Sequence, residues 1–509
     1  MLATLQSGAV LGVEAFTVDV EVDAHMGMAN VDVVGLPDSA VREARNRIEA
    51  AVRNIGFNLP LKRVTINLGP ADVRKMGSGF DLPMALGLIA ASGGIDAKDL
   101  ANALFVGELS LDGTLRPVPG VLPVADLCRR KGVARLVLPK ENAAEAAVVP
   151  DVEVLSADHL GDVVDWLQQR KQLTTVQQSD NDINNPDNPV DSLLDFCDVK
   201  GQECAKRALE VAAAGGHNVL MIGPPGSGKT MLAKRFPSIF PPMTYEEAIE
   251  TTKIYSVMGM TRDRSLIDRR PFRHPHHTIS NVALIGGGTV PRPGEISMAH
   301  NGVLFLDELP EFQRNVLEVL RQPLEDGEVT VSRASMSVVF PSRFTLLSAM
   351  NPCPCGYATD PRHACTCSQN QIANYRNRLS GPLLDRIDIH VDVPALAYTQ
   401  LADRSRGESS EQIRQRVIAS REIQQQRFAG TGIHCNAQMP SRMIREYCDL
   451  TTDSTRLLEK VTEHFGLSAR AYDRILRTAR TIADLDGSAD ISAVHVSESV
   501  QYRVLDRKS

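Results

Sequence analysis

Apolar and polar residues alternate along two stretches near the N-terminus, as they do in strands with one buried face. The alternating apolar positions are Phe16, Val18, Val20 and Val22 in the first stretch and Val64, Ile66 and Leu68 in the second. Between the two stretches, Asp38 precedes apolar residues spaced three or four apart, namely Val41, Ala44, Ile48 and Val52. That spacing predicts an amphipathic helix capped by Asp38. We therefore expect residues 1–170 to form a mixed α/β domain.

A polar segment rich in Asn, Asp and Gln follows, and its composition is typical of a linker over residues 171–190. Residues 191–394 show a second α/β pattern, whereas residues 395–509 show helical periodicity. The helical stripes are Ile413 with Val417, and Ala471 with Ile475, Ala479 and Ile482. The pattern thus predicts an α/β fold class with two α/β domains, a linker and a helical C-terminal domain.

The length of 509 residues favours two to four domains over a single core. No apolar run approaches the ~20 residues that cross a bilayer, and the first residues lack the charged and apolar regions of a signal peptide. We therefore expect a cytoplasmic protein that does not bind a membrane. The formal net charge of −7 argues against nucleic acid coating the whole surface, but it does not exclude a local basic surface.

The strongest chemical signal is the segment GPPGSGKT, which follows an apolar run and precedes a helical pattern. Its residues are Gly223, Pro224, Pro225, Gly226, Ser227, Gly228, Lys229 and Thr230. In a P-loop of this spacing, the glycines let backbone N–H groups surround the phosphates of a nucleotide. Lys229 is expected to neutralise the β- and γ-phosphates, and Thr230 is expected to ligate Mg²⁺.

Polar residues also end the strand patterns that follow the P-loop. The apolar run 303–306 is followed by Asp307, which is expected to hold Mg²⁺, and by Glu308, which is expected to polarise the attacking water. Asn351 ends the run RFTLLSAMN and can position that water, although an Asn that forms a turn is the alternative. Arg386 follows the apolar run of GPLLDRID; alone it indicates a surface charge, but in an oligomeric ATPase it is a natural arginine finger.

The helical pattern LSARAYDRILRTAR begins with Ser468 as a candidate cap and places Arg470, Arg474 and Arg477 on one face. From a helical lid, Arg470 can reach a bound nucleotide. A solvated basic face is the simpler interpretation of these three arginines.

Taken in this order, the P-loop, the acidic pair, the strand-end Asn, the Arg of LLDR and the helical Arg resemble an AAA+ ATPase. The segments PFRHPHHTIS, PRPGEISMAHNGVLFLDELPEF, LRQPLEDGEV and AMNPCPCG narrow the resemblance to the magnesium-chelatase-like branch. Together with VDVVGLPDSAVREARNRIEAAV, they make essentially the whole chain similar to the ComM/YifB family. The resemblance assigns Asn351 as sensor 1, Arg470 as sensor 2 and Arg386 as an arginine finger that acts on the neighbouring subunit.

The family resemblance also implies a function and partners. It implies a homohexameric helicase or translocase that hydrolyses ATP with Mg²⁺ and moves on single-stranded and branched DNA without sequence preference. Such a motor promotes branch migration in recombination during natural transformation, with recombination proteins as candidate partners. The implied fold is an N-terminal Lon-protease-like α/β domain, an AAA+ P-loop core with a parallel sheet and a C-terminal helical lid. A chelatase-like AAA+ ATPase that remodels a protein partner is the alternative function.

The Lon-like resemblance rests on KMGSGFDLPMALGLIAASGG and GELSLDGTLRPVPGV. Catalytic Lon peptidases use a Ser–Lys dyad, in which the amine takes the proton of the serine. In the register of the family, Gly79 takes the nucleophile position with Ser78 one residue away, and the lysine position falls near Leu122. The resemblance therefore implies a domain without peptidase activity that serves DNA contact or hexamer assembly.

A regulatory module that uses ATP only as a switch is disfavoured, because Glu308 and Arg386 supply a hydrolysis apparatus.

Two segments resemble the pore loops of DNA motors. The first, GGGTVPRPGE over residues 286–295, carries Arg292. The second, EVTVSRASMSVVFPSR, alternates as two strands joined around residues 332–335, with Arg333 at the tip. Arginines at such tips can contact backbone phosphates without reading sequence. A solvated loop arginine is the alternative at each position.

A run of histidines, His274, His276 and His277, lies between the P-loop and the acidic pair. If this run were a strand, His274 and His276 would share a face. Because no acidic or cysteine partner is near in sequence, packing or contact with the nucleotide is favoured over a metal site. The preceding arginines form either a basic surface for DNA or a solvated face; they are Arg262, Arg264, Arg269, Arg270 and Arg273.

Four of the nine cysteines, Cys353, Cys355, Cys365 and Cys367, fall within residues 351–367. Zinc knuckles more often use C-x₂-C spacing, yet four thiols in so short a cytoplasmic segment favour a structural Zn²⁺ over disulfides. Redox sensing is the second interpretation, and His363 is the substitute ligand if one of the cysteines is not used. Because this insertion lies between Asn351 and Arg386, we expect zinc loss to weaken ring assembly or DNA engagement before it weakens nucleotide binding.

Overall fold

The structure is a computed structural model that describes residues 2–503 apart from 27, 29, 58–62, 178–193, 262–264, 289, 334–335, 398–399 and 401–405, and apart from the side chains of residues 39, 333 and 336. The expected linker lies outside the described residues from residue 178 onward. The chain forms two compact units. The N-terminal unit comprises residues 1–185 and 245–268, and the C-terminal unit comprises residues 186–244 and 269–509. Among the described helices, none is both long enough and apolar enough to span a bilayer.

The N-terminal unit is built on a mixed eight-stranded sheet with the order β10-β9-β8-β5-β1-β2-β4-β3. Its strands are β1 (Leu2–Leu11), β2 (Glu14–His25), β3 (Asn30–Val34), β4 (Arg63–Gly69), β5 (Ala103–Phe105), β8 (Arg135–Pro139), β9 (Glu153–Ala157) and β10 (Thr174–Val176). A separate hairpin pairs β6 (Glu108–Leu109) with β7 (Leu115–Arg116). The two strands predicted from alternation are confirmed as β2 and β4, which pair antiparallel.

Before residue 178, the described residues form five α-helices: α1 (Ser39–Asn54), α2 (Asp81–Ala91), α3 (Val121–Lys131), α4 (Lys140–Ala146) and α5 (Leu160–Leu167). The cap of α1 is confirmed, because the Asp38 carboxylate accepts a hydrogen bond from the Val41 N–H at 2.9 Å. All four predicted stripe residues of α1 are buried. Helix α2 is buried along its whole length, and its Asp81 carboxylate pairs with Arg47 of α1 at 2.9 Å.

The C-terminal unit contains a five-stranded sheet with the order β12-β15-β18-β11-β19, in which every neighbouring pair is parallel. Its strands are β11 (Val219–Ile222), β12 (Phe272–Arg273), β15 (Val303–Leu306), β18 (Thr345–Met350) and β19 (Ile389–Asp392). Two hairpins lie outside this sheet, β13 (Gly286–Gly287) with β14 (Arg292–Pro293) and β16 (Glu328–Arg333) with β17 (Met336–Pro341). Because carboxyl ends of parallel strands share one edge, the P-loop, the acidic pair and Asn351 meet at that edge.

From residue 194 onward, the described residues form the helices α6 (Glu203–Gly215), α7 (Lys229–Arg235), α8 (Tyr245–Val257), α9 (Asn281–Ile285), α10 (Glu295–Met298), α11 (Arg314–Glu318), α12 (Arg321–Asp326), α13 (Gln369–Arg376), α14 (Gly381–Leu384), α15 (Ser410–Arg427), α16 (Ser441–Tyr447), α17 (Thr452–Phe465), α18 (Ala469–Leu485) and α19 (Ala493–Gln501). Short 3₁₀ turns cover Ala97–Leu100, Phe196–Asp198, Phe236–Ile239, Leu309–Glu311 and Asn436–Gln438. The part of the chain from α15 onward is helical, as its periodicity predicts. The chain is therefore a mixed α/β protein with a helical C-terminal part.

Helix α18 carries both predicted features of its segment. The Ser468 hydroxyl accepts a hydrogen bond from the Ala471 N–H at 3.2 Å, which confirms the cap. Arg474, however, is only 8% exposed, and its Nε lies 3.5 Å from a carboxylate oxygen of Asp388. The interpretation of the arginines as one solvated face is therefore wrong for Arg474, because an acidic partner from the start of β19 allows this charge to be buried.

The segment between Tyr245 and Asp268 belongs to the N-terminal unit, although it lies between α7 and β12 in the sequence. Its helix α8 packs on α3. The buried Lys253 amine donates to the Asp126 carboxylate at 2.8 Å and to Glu14 at 3.2 Å. Thr261 donates to the buried Glu145 carboxylate at 2.7 Å. Sequence analysis placed this segment in the residue 191–394 domain by chain order alone, because its partners are distant in sequence.

Candidate nucleotide site and four-cysteine cluster

The P-loop begins where β11 ends and is shaped by a close backbone contact. A Cβ atom on Gly223 would lie 2.1 Å from the carbonyl oxygen of Val393, just after β19, so only glycine fits there. The loop ends at Gly228, which has a φ of 97°, and α7 begins at Lys229. The sequence thus forms the strand–loop–helix that a phosphate site requires.

The Lys229 amine is buried inside the loop. It donates to the carbonyl oxygens of Gly223 and Pro224 at 2.7 and 2.9 Å and to the Asn351 side-chain oxygen at 3.3 Å. Burial lowers the pKa of Lys229, while the nearby Asp307 and Glu308 carboxylates oppose that shift. The structure therefore brings the P-loop lysine and the candidate sensor asparagine into direct contact.

Two oxygen ligands suited to Mg²⁺ lie together at the end of β15. The Thr230 hydroxyl donates to an Asp307 carboxylate oxygen at 2.8 Å. A hydroxyl beside a carboxylate is the hard-oxygen donor set that Mg²⁺ prefers. The residues present therefore fit the Mg²⁺ and nucleotide phosphates that the P-loop pattern predicts.

Glu308 adopts a left-handed backbone conformation, with a φ of 53° and a ψ of 47°. Such a conformation is uncommon for a residue other than glycine and occurs often at functional sites. A Glu308 carboxylate oxygen lies 3.5 Å from Nδ1 of His277. Sequence analysis did not pair these residues, because their contact depends on the adjacency of β12 and β15.

The other histidines of the run take different places. The ring of His274 lies 4.8 Å from that of Phe305, and burial lowers the pKa of His274. His276 Nδ1 hydrogen bonds with the Thr278 hydroxyl at 2.9 Å. The run follows β12 (Phe272–Arg273) and is not itself a strand, so the condition under which His274 and His276 would share a strand face is not met. The packing of His274 agrees with the interpretation favoured over a metal site.

Two of the five arginines that precede the histidine run are held by neighbouring groups. Arg273 pairs with the Glu295 carboxylate through two contacts of 2.6 and 2.7 Å. Arg270 donates to the carbonyl oxygens of Pro241 and Asn301, each at 2.8 Å. Arg262 and Arg264 lie outside the described residues. These contacts give Arg270 and Arg273 structural roles in the C-terminal unit.

Arg386 is held within its own chain. One guanidinium nitrogen lies 2.5 Å from the Glu325 carboxylate of α12, and others donate to the carbonyl oxygens of Arg321 and Pro382. Its side chain is only 11% exposed. The contact with Arg386 lowers the pKa of Glu325. Arg470, in contrast, is 66% exposed and lies 3.7 Å from Asp385.

The four cysteines predicted as zinc ligands converge. The sulfur atoms of Cys353 and Cys355 lie 3.3 Å apart, and that of Cys365 lies 3.7 and 3.6 Å from them. All four sulfur atoms, including that of Cys367, lie within 4.8 Å of one another. Tetrahedral Zn²⁺ with Zn–S bonds of about 2.3 Å places its sulfurs about 3.8 Å apart, so the donor set fits zinc.

Residues 351–367, here called the cysteine loop, contain hydrogen-bonding groups that determine which of its side chains can bind a metal. Backbone N–H groups of Tyr357 and Thr366 lower the pKa of Cys355 to about 5, which favours the thiolate that metals bind. His363 does not join the cluster, because its Nδ1 lies 3.0 Å from the Asp360 carboxylate. The four thiols are therefore the ligand set that the structure offers.

The cysteine loop also contacts the P-loop. Gly356 has a φ of 89°, and a Cβ atom there would lie 2.7 Å from Cδ of Pro225. The insertion thus packs against the nucleotide site and not only between Asn351 and Arg386. The sequence pattern does not predict this contact, because the spacing of the cysteines carries no information about their neighbours in space.

The candidate DNA contacts lie on the two hairpins outside the sheet. Arg292 is exposed on β14, opposite Gly287 of β13. The second predicted hairpin is confirmed as β16 and β17, in which Arg333 pairs with Met336 across the turn. The side chain of Arg333 lies outside the described residues.

The candidate peptidase residues of the N-terminal unit do not form a dyad. The Ser78 hydroxyl donates to the Glu108 carboxylate. The Lys75 amine is fully buried and has no hydrogen-bond partner in the described structure. Leu122 is a buried residue of α3. Among the described residues, no lysine amine is bonded to Ser78.

Comparison with family models matches three parts of the chain. Residues 195–401 match the model described as magnesium chelatase, subunit ChlI. Residues 20–142 match a model for subunit ChlI of Mg-chelatase, and residues 407–503 match the model for the C-terminal part of that subunit. The first of these matches covers β11 to β19 and thus the P-loop, the acidic pair, Asn351 and Arg386, whereas Arg470 falls in the third match.

Three relatives show how far the similarity extends. Competence protein ComM of Haemophilus influenzae is 47% identical over 509 residues, which is 99% of this chain and 98% of that protein. YifB of Salmonella typhimurium is 44% identical over 99% of this chain and 98% of its own length. The magnesium-chelatase 67 kDa subunit of Chlorobaculum parvum is 29% identical over 167 residues, which is 31% of this chain and 24% of that protein.

Proposed function

The chain belongs to the ComM/YifB family, whose members carry magnesium-chelatase-like AAA+ ATPase domains, and from this premise we propose that it is an ATP-driven DNA motor. The motor promotes branch migration in recombination during natural transformation. The main support for ATP hydrolysis is that four side chains lie together at one edge of the sheet: Lys229 contacts Asn351, and Thr230 contacts Asp307. The relative from Haemophilus influenzae is named a competence protein, which supports a role in natural transformation.

In this proposal the P-loop binds ATP, and Thr230 and Asp307 hold Mg²⁺. Mg²⁺ neutralises charge on the phosphates during hydrolysis. Lys229 neutralises the β- and γ-phosphates and keeps Asn351 close to the γ-phosphate. Glu308 polarises the attacking water. The exposed Arg470 acts as a sensor from the helical part of the chain.

The motor acts as a homohexamer, in which Arg386 of one subunit acts on the ATP of its neighbour. Arg292 and Arg333 contact backbone phosphates of single-stranded or branched DNA, and recombination proteins are candidate partners. The N-terminal unit is a Lon-like domain without peptidase activity. The bonding of Ser78 to Glu108 supports that assignment, because the serine lacks a lysine base.

The four cysteines hold a structural Zn²⁺. The spacing of their sulfur atoms supports this assignment. Metal analysis of the purified chain tests it, with about one Zn²⁺ per chain expected and a clear loss in Cys365→Ser. A zinc content near zero, with no effect of chelation, contradicts the site.

A chelatase-like ATPase that remodels a protein partner is the second candidate. The family models named for magnesium chelatase favour it. The two candidates share ATP hydrolysis and differ in what hydrolysis acts upon.

The test measures ATP hydrolysis with and without branched DNA, followed by strand displacement from a forked or four-way junction. We expect DNA to stimulate ATP hydrolysis. We also expect the chain to separate the strands of the forked and four-way junctions. Lys229→Ala should abolish nucleotide binding, and Glu308→Gln should bind ATP without turnover. If the rate of ATP hydrolysis is the same with and without DNA and the junctions stay intact, the protein-remodelling candidate is favoured.

A further inference from the structure

Tyr375 contacts the candidate nucleotide site, although neither the sequence pattern nor the proposed mechanism assigns it a role. It belongs to α13, the helix that follows the cysteine loop, and it is only 5% exposed. The hydroxyl of Ser368 accepts a hydrogen bond from the Gln371 N–H at 3.3 Å, and the Gln371 side chain accepts one from the Ser368 N–H at 2.8 Å. This capping box fixes the start of α13 directly after Cys367, the last cysteine of the loop.

The hydroxyl of Tyr375 contacts the backbone of the candidate sensor asparagine. Strand β18 ends at Met350, so Asn351 is the first residue beyond the strand. The Tyr375 hydroxyl accepts a hydrogen bond from the backbone N–H of Asn351. The side-chain oxygen of the same asparagine accepts a hydrogen bond from the Lys229 amine at 3.3 Å. Asn351 is thus held by Tyr375 through its backbone while its side chain contacts the P-loop.

The Tyr375 hydroxyl lies near acidic groups of the site. Burial raises the pKa of Tyr375 to about 12, and the Glu311 and Glu308 carboxylates act in the same direction. The hydroxyl therefore keeps its proton at neutral pH. A neutral hydroxyl can accept the hydrogen bond from Asn351 without adding a negative charge to a site that already holds several carboxylates.

Arg378, which follows α13, contacts the end of the neighbouring strand β15. Its guanidinium donates to the carbonyl oxygen of Pro310 at 3.3 Å and to the Glu311 carboxylate at 3.0 Å. Both of these residues belong to the 3₁₀ turn that directly follows Glu308. The guanidinium carbon also lies 5.8 Å from the centroid of the Tyr375 ring. Helix α13 and Arg378 together therefore contact the residues that follow both β15 and β18.

We propose that Tyr375 is a positioning residue for ATP hydrolysis, whose hydroxyl fixes the backbone of Asn351 so that the asparagine side chain can hold the attacking water. This inference rests on the proposed ATPase and adds a residue to its hydrolysis step. It also gives the cysteine loop a role in that step, because α13 begins where the loop ends. Misplacing a group that orients the water slows turnover without removing a contact to the bound nucleotide.

Tyr375→Phe tests this assignment, because it removes the hydroxyl and keeps the buried ring. ATP affinity of the full-length chain is measured by competition against a fluorescent ATP analogue, and kcat is measured at saturating ATP with branched DNA present. We expect ATP affinity to change by less than about twofold and kcat to fall about fivefold, the effect of losing one neutral hydrogen bond.

Tyr502→Phe is the matched control. Tyr502 belongs to the same C-terminal unit, is 6% exposed, and its hydroxyl donates to the Glu498 carboxylate at 2.8 Å. The control therefore also removes a buried tyrosine hydroxyl together with its hydrogen bond, but it leaves the contact with Asn351 in place. We expect Tyr502→Phe to leave both ATP affinity and kcat unchanged.

A double-mutant cycle asks whether Tyr375 acts through Asn351. Asn351→Ala removes the side chain that Tyr375 is proposed to orient and keeps the backbone N–H. In the Asn351→Ala chain, adding Tyr375→Phe should lower the single-turnover rate of ATP hydrolysis by less than about twofold, because the effects of two residues that act as one unit do not add.

The remaining outcomes overturn the inference. An unchanged kcat in Tyr375→Phe does so directly, and an equal loss of kcat in Tyr502→Phe shows a general effect of losing a buried hydroxyl. A Tyr375→Phe chain that loses ATP affinity as much as kcat shows that the hydroxyl only supports the fold of the site. A full loss in the Asn351→Ala chain shows that Tyr375 does not act through Asn351. A wild-type chain that binds or hydrolyses no ATP contradicts the proposed ATPase, and this inference with it.

Discussion

At the scale of single residues, the spacing of the P-loop and the acidic pair was enough to predict which side chains meet. The bond between Thr230 and Asp307 and the bond between Lys229 and Asn351 join residues that those patterns had already selected. His277 escaped prediction, because its contact with Glu308 depends on the adjacency of β12 and β15. A lone His carries no such information in the sequence.

His277 provides the first prediction, because its ring lies 3.5 Å from the Glu308 carboxylate. We expect His277→Ala to lower kcat for ATP hydrolysis about fivefold, since a single polar contact contributes about 1 kcal/mol to holding the carboxylate. KM should stay unchanged, because the contact does not involve the phosphates. The control is His276→Ala, whose ring nitrogen bonds to Thr278. Equal effects of both variants on kcat would refute a specific role for His277.

At the scale of elements, strands, caps and helical stripes followed from periodicity, whereas the contacts between loops did not. The strands β2 and β4, the cap of α1 and the stripe of α18 lie where local pattern placed them. The packing of the cysteine loop on Pro225 has no local signature, because it depends on where two loops end in space.

Gly356→Ala tests that packing. The new methyl group would lie 2.7 Å from Pro225, so the P-loop must shift and ATP affinity should fall about tenfold. Gly430→Ala is the matched control, because Gly430 also has a positive φ, 77°, but has no atom near its Cβ position. Both variants should keep the proposed zinc content, because neither substitution removes a cysteine. Unchanged ATP affinity in Gly356→Ala would show that the loop does not support the nucleotide site. The expectation that zinc loss weakens ring assembly or DNA engagement first would then still stand.

Asp388 directly precedes β19 and lies beside Arg474 of α18. We expect its ionisation to make the stability of the fold depend on pH. Burial opposes its ionisation, but contacts with His217 and Arg474 outweigh burial, so its pKa lies below the ordinary value. A carboxylate with a lowered pKa stabilises the fold above its unfolded pKa of about 4, and this contribution is lost as pH falls toward the folded value.

We expect Asp388→Asn to lower the free energy of unfolding by ~3 kcal/mol at pH 7, because it leaves Arg474 buried without its charged partner. The difference from wild type should shrink below pH 4. Urea unfolding followed at both pH values measures it. A difference that is the same at pH 7 and pH 3 would show that the charge of Asp388 is not the source.

At the scale of the whole molecule, the resemblance of the sequence predicted the family correctly over the entire chain. The resemblance did not predict that the Arg386 side chain is paired with Glu325 of the same chain. If Arg386 acts on a neighbouring subunit, that pair must first open.

Glu325→Gln should therefore favour assembly of the active form. Because Glu325 is 54% exposed, its pair with Arg386 is worth up to ~1 kcal/mol, so half-maximal hydrolysis should occur at about fivefold lower protein concentration. Arg386→Ala should abolish hydrolysis while ATP binding persists. Glu318→Gln is the control, because Glu318 pairs with Arg321 instead. An identical concentration dependence in Glu325→Gln and wild type would contradict the restraint.

The segment 245–268 makes the N-terminal unit depend on residues that follow the P-loop in sequence. Lys253 of α8 is 8% exposed and bridges Asp126 of α3 and Glu14. Lys253→Met removes that bridge, and a loss of ~1.4 kcal/mol of local stability makes amide exchange about tenfold faster. Hydrogen exchange should therefore speed up in α8 and α3 together.

Lys140→Met is the matched control for that experiment, because the Lys140–Asp158 pair of the same unit is 68% exposed on both sides and should contribute little. Exchange in α6 of the C-terminal unit should stay unchanged in both variants. If Lys253→Met sped up exchange in α8 while α3 kept its protection, the N-terminal unit would not need the segment. Joint loss of protection would instead mean that the chain after the P-loop completes the N-terminal fold, so a fragment that stops before residue 245 lacks part of its own core.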